Sequence, residues 1–189
     1  MLSDDSWEGL THPQAFKKLR TKHKIVCTPD QEAPALLVDF EELSSRYEAK
    51  TYLIRNIKEE LGFATPTPIQ MQALPALLER QEVLACAPTG SGKTAAFSIP
   101  MLVALKDPSK GSHRALVLSP TRELALQTYQ QIKRLCKDKG FRICLLTKST
   151  TPLETDNTTR RFGKVLIASH CLFSFIPFRY HRFNTSTSC

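Results

Sequence analysis

The chain has 189 residues, 41% of them hydrophobic, and carries 26 Lys and Arg against 18 Asp and Glu, a formal net charge of +8. This length and apolar content suit one globular domain with a real core. No apolar run is long enough to span a bilayer, and the six cysteines show neither a CxxC pair nor metal-ligand spacing, which speaks against a membrane anchor and a zinc module.

The positive balance points to an anionic partner such as nucleic acid. It is unevenly spread: no acidic residue follows Asp156, whereas Arg160, Arg161, Lys164, Arg179 and Arg182 do. The total is therefore weak evidence for RNA. The N-terminal Ser3-Asp-Asp-Ser does not read as a signal peptide, and the cysteine usage fits an intracellular, reducing setting.

Residues 1–35 are weakly patterned, punctuated by Pro29 and Pro34, and read as a linker or arm. Their basic cluster of Lys17, Lys18, Arg20, Lys22, His23 and Lys24 stands open to three readings: a nucleic-acid arm, a nuclear import signal or a solvated charged face. From Phe40 the pattern tightens. Leu53, Ile54, Ile57 and Leu61 share one helical face, and Gly62 stops that helix. In Pro66-Thr-Pro-Ile-Gln70, Thr67 is a good N-cap, Pro68 suits the first helical position and Gln70 completes a capping box. Pro75 is expected to break or kink this helix.

Glu82 to Ala87 is a short apolar run of strand type, and Ala95 to Leu105 reads as a buried helix. Between them lies Ala87-Pro-Thr-Gly-Ser-Gly-Lys-Thr94, a phosphate loop that opens with Ala where the general pattern has Gly. Gly90 and Gly92 let the backbone curl so that N–H groups converge on phosphate oxygens. The start of the following helix adds a favourable field. Lys93 supplies a mobile cation, and Thr94 a hydroxyl for Mg²⁺. Ala115 to Ser119 reads as a buried parallel strand, and Thr121 caps a helix running to about Lys137. Phe141 to Leu146 and Val165 to Ala168 read as two further strands, with Cys86 and Cys144 as buried thiols inside strands. Alternating strands and helices imply a doubly wound, mostly parallel α/β sheet with the phosphate loop at a strand's carboxyl end.

Phe40, Gly62-Phe63 with Pro66 to Gln70, Ala87 to Thr94, and Pro120-Thr-Arg-Glu-Leu-Ala125 resemble, in order and spacing, the Q motif, motif I and motif Ia of DEAD-box RNA helicases. The match covers roughly residues 22–168 and is most similar to the subgroup acting in small ribosomal subunit assembly. The resemblance implies a partial RecA-like domain over residues 36–168. It implies ATP and Mg²⁺ as cofactors, held by Phe40, Gln70 and Ala87, Pro88, Thr89, Gly90, Ser91, Gly92, Lys93 and Thr94. Phe40 would stack on adenine and Gln70 would read its edge, alongside the capping role. Pro120, Thr121, Arg122 and Glu123 would contact RNA. Lys93 and Thr94 would take the catalytic roles, with Thr94 on the metal. A monomer is implied, with pre-rRNA and ribosome-assembly factors as partners, in the nucleus or nucleolus.

The resemblance weakens after Ala168, where Ser169-His-Cys-Leu172 replaces the expected Thr-Pro and Gly-Arg, and no Asp-Glu-Ala-Asp follows. Residues 169–189 read as a divergent tail, either a non-homologous end or an aromatic and cationic platform for single strands. Phosphoryl transfer needs a carboxylate-held Mg²⁺ and further cations. Two functions therefore stand side by side: the ATP-binding half of an RNA helicase, or a nucleotide- or RNA-binding form that does not hydrolyse ATP. Central strands of the family sheet come from later in the chain, so open strand edges and marginal solubility are expected.

Overall fold

Nine elements follow from local chemistry in the computed structural model, which describes residues 12–29, 33–108, 114–146 and 165–169. The helices are α1 (His12–Lys22), α2 (Glu42–Tyr47), α3 (Thr51–Glu59), α4 (Pro68–Leu78), α5 (Lys93–Leu105) and α6 (Arg122–Leu135), and the strands β1 (Ala115–Ser119), β2 (Ile143–Leu146) and β3 (Val165–Ser169). None of the helices among the described residues is long and apolar enough to cross a membrane.

The three strands form a parallel sheet in the order β1-β3-β2, with Ala115 opposite Val165 and Ile143 opposite that same residue. β3 is central, and its Val165, Ile167 and Ala168 are buried, as an apolar run in a parallel sheet requires. Helix α6 lies across all three strands, and α3 and α5 pack on α6. The core joins Leu53 and Ile57 of α3, Ile99 and Leu102 of α5, Ile132 and Leu135 of α6, and Val165 and Ile167 of β3. This is the α/β architecture expected from the sequence.

Thr121 caps α6 as expected, its Oγ1 accepting the Leu124 N–H at 3.2 Å. At the other end of α6, the buried Asn56 side chain donates to the carbonyls of Leu135 (2.9 Å) and Lys137 (3.2 Å), closing the helix terminus.

Two expectations are corrected. Pro75 does not break α4, which runs through it to Leu78. The ring removes the N–H that would have bonded Met71 O, and the Leu37 N–H takes that carbonyl instead, at 2.9 Å. The helix tolerates proline because Leu37 supplies the missing donor.

Residues 82–87 do not form a strand. They run without a ladder partner among the described residues, and Leu84 is 98% exposed. Cys86, expected in a buried strand, is exposed, while Cys144 is buried as expected. An apolar, β-prone run acquires strand geometry only from a neighbour that completes its hydrogen bonds. Among the described residues no strand pairs with the outer edge of β1, and Leu116 and Leu118 are 43% and 55% exposed.

The arm is likewise more than a linker. Ala15, Phe16, Leu19, Arg20 and His23 point inward at helical spacing, while Gln14, Lys17, Lys18, Thr21 and Lys22 point outward. Residues 147–164 and the tail after Ser169 lie outside the described residues.

Candidate functional site

The phosphate loop turns through two left-handed glycines, Gly90 at φ 78° and Gly92 at φ 85°. Gly92 precedes the first residue of α5, so the loop runs directly into the helix start, whose first N–H groups suit an anion. Its position is fixed from α4. Gln70 Nε2 donates to Gly92 O at 3.2 Å, and Thr67 Oγ1 donates to Ser91 O at 2.7 Å. Gln70 Oε1 meanwhile accepts the Thr67 N–H at 3.0 Å, the reciprocal half of a capping box. Gln70 is wholly buried, and a Cβ on Gly92 would collide with its Nε2. Close approach as well as positive φ therefore requires glycine there.

Lys93 Nζ folds back on its own loop, donating to the carbonyls of Ala87 (2.5 Å) and Pro88 (2.6 Å). An ammonium held by two neutral carbonyls exchanges readily for polyphosphate oxygens, which offer charge-assisted bonds. Ser91 Oγ is buried and has no hydrogen-bond partner among the described residues. Such a buried orphan fits a loop built to take a further acceptor. Thr89 is exposed and Thr94 half-buried beside the α5 start. Among the described residues no group of three or more His, Cys, Asp or Glu could hold a metal. The unpartnered Ser91 hydroxyl and the Lys93 ammonium are a donor set that fits a polyphosphate.

Two placements differ from the sequence expectation. Phe40 is 0% exposed and sits in the core with Leu37, Leu43 and Leu74, so its ring has no free face on which a base could stack. Gln70 is at the site, but its amide is engaged with Gly92 and Thr67 rather than turned outward. The Thr67 hydroxyl tie to Ser91 was missed because Thr67 reads so naturally as a cap.

Pro120, Thr121, Arg122 and Glu123 are all exposed and form the turn from β1 into α6, where the capped helix start offers N–H groups. The description of the DEAD/DEAH box helicase family matches residues 67–183. The chain belongs to that family.

The match runs past Ala168 into the segment that reads as divergent. DEAD-box relatives agree. The probable ATP-dependent RNA helicase ddx52 of Dictyostelium discoideum is 42% identical over 158 residues, covering 84% of this chain and 23% of that protein. DEAD-box ATP-dependent RNA helicase 57 of Arabidopsis thaliana is 51% identical over 151 residues, with 80% and 27% covered. The chain thus spans about a quarter of the length of these curated relatives. Among solved structures, the yeast DEAD-box splicing factor Prp28 matches with a TM-score of 0.74 at 26% identity, covering 88% of this chain and 39% of that one. A DEAD box protein from Methanococcus jannaschii matches with a TM-score of 0.61 at 30% identity, covering 71% and 35%.

Proposed function

We propose that this chain is the ATP-binding part of an ATP-dependent RNA helicase that works on pre-rRNA with ribosome-assembly factors, as a monomer, in the nucleolus. The observation that carries the reading is the junction of α4 and the phosphate loop, where Thr67 and Gln70, themselves joined by one hydrogen bond, hold Ser91 and Gly92 by one each. Family membership and the relatives' names support ATP and RNA as ligands. Bound Mg·ATP supplies the phosphoryl group that is transferred to water. The chain's own residues bind and orient it: loop N–H groups and the Ser91 hydroxyl face the phosphates, Lys93 swings from the Ala87 and Pro88 carbonyls to meet them, and Thr94 meets the metal. Selectivity for adenine rests on Gln70, whose amide would exchange its bonds to Gly92 O and the Thr67 N–H for the edge of the base. The exposed Pro120-Thr-Arg-Glu turn takes RNA phosphate.

A second reading, a form that binds nucleotide without hydrolysing it, needs only the loop's own donors, Ser91 and Lys93. Phosphate release from ATP with RNA present separates the two. Release above that of Lys93→Ala supports the helicase enzyme, whereas bound ATP without release supports the binder. Absence of both nucleotide and RNA binding would refute the reading as a whole.

A further inference from the structure

Between His12 and Pro29 the chain carries five cations, Lys17, Lys18, Arg20, Lys22 and Lys24, and no acidic residue. The structure sorts them. Arg20 is 7% exposed and turned into the protein, where its Nε donates to Gln72 Oε1 (2.8 Å) and one of its terminal nitrogens donates to the carbonyls of Ala33 (3.0 Å) and Pro34 (2.9 Å). Gln72 Nε2 returns a bond to Pro34 O at 3.1 Å. Leu19 is buried beside it, and the Leu37 N–H is bonded to the Met71 carbonyl freed by Pro75. Helix α1 is thereby pinned to α4, the helix whose Gln70 closes on the phosphate loop. The remaining cations are exposed, and Lys17, Lys22 and Lys24 have no ion-pair partner among the described residues.

We infer that α1 and the turn after it form a fixed RNA-phosphate contact, separate from the Pro120-Thr-Arg-Glu turn, with Arg20 and Gln72 as the latch that holds their basic residues in place. The charge is complementary to a phosphate backbone, and the fixing matters. A tethered but floating lysine tail loses conformational freedom on every contact, whereas a docked helix has already lost its backbone share. The inference rests on the RNA reading above.

The test is the salt dependence of binding to a fluorescent single-stranded oligouridine, measured by anisotropy on the full chain. The K17Q/K22Q/K24Q variant is compared with the parent and with K17R/K22R/K24R. Each phosphate neutralised adds about 0.7 to the slope of log K against log salt for single strands, so removing three contacts lowers the slope by about 2. The arginine variant is expected to keep the parent slope. A parent that binds RNA with the same slope as the glutamine variant overturns the α1 contact alone. A parent with no salt-dependent RNA binding overturns both this contact and the RNA reading, and binding to anionic phosphatidylserine vesicles in its place would mark α1 as a lipid surface instead.

Discussion

Replacing Gly92 by Ala tests the junction at the centre of the site. Gly92 sits at φ 85°, where a side chain costs about 1–2 kcal/mol. Its new methyl would also meet the Gln70 amide, which is buried and bonded to Gly92 O. Displacing that amide forfeits a hydrogen bond worth about 0.5–1.5 kcal/mol and disturbs the bond to Thr67 N. Gly90 supplies the control: its φ is 78°, yet nothing lies within 4 Å of a Cβ built there. Gly90→Ala should therefore cost about 1 kcal/mol, after the gain of about 0.4–1 kcal/mol from a stiffer unfolded chain. Gly92→Ala should cost about 2–3 kcal/mol by the same balance plus the lost contact. In a Gln70→Ala background the Gly92→Ala increment should fall back towards the Gly90 value, giving a coupling of about 1–2 kcal/mol. Urea unfolding followed by circular dichroism reads all four differences, provided the slopes agree. Equal costs at the two glycines, or additive behaviour of Gly92 and Gln70, would refute the tie between α4 and the loop.

Asn56→Ala should destabilise by about 1–3 kcal/mol, because it strips the buried Leu135 carbonyl, and that of Lys137 beside it, of their donor. A urea midpoint unchanged from the parent would contradict that bond. Stability should also fall in alkali. Burial pushes the Cys136 thiol from 9.0 up to about 12, and burial followed by the nearby Cys136 and Asp107 pushes Tyr52 from 10.0 up to about 12. The folded state holds these protons more tightly than the unfolded chain, so their contribution is complete below about pH 9 and is lost as pH rises towards 12. A urea midpoint that stays level from pH 9 to 11 would refute it. Finally, a maleimide should label Cys86 in the native chain while Cys136 and Cys144 wait for denaturant. Protection of Cys86 would mean that residues 82–87 are covered after all.

The sequence carried the site better than it carried the sheet. The phosphate loop, the Thr67 and Thr121 helix starts and the α5 and α6 spans are local signals, set by glycine φ, capping oxygens and 3.6-residue periodicity. They survive whatever surrounds them. The run from Glu82 to Ala87 is different, because a strand exists only with a neighbour, and its apolar composition says nothing about where that neighbour lies. Phe40 was misplaced for a related reason: an aromatic that suits a base suits a core equally well, and the packing of Leu37, Leu43 and Leu74 around it decides. α1 escaped notice because its inward face includes a charge. Arg20 looks solvated in the sequence and becomes interior through partners that include Gln72, Ala33 and Pro34. The spacing of Phe16, Leu19 and His23 was the available signal. Pro75 misled in the opposite direction, since its effect depended on a donor 38 residues earlier in the chain, at Leu37.

The most direct measurement is calorimetric binding of Mg·ATP, and of Mg·GTP in parallel, to the parent chain, Lys93→Ala and Gln70→Ala. The account predicts that ATP binds in preference to GTP, that Lys93→Ala abolishes binding of both, and that Gln70→Ala removes the preference. Equal affinity of Lys93→Ala and parent for ATP, or no nucleotide binding by a parent chain that unfolds cooperatively, would contradict it.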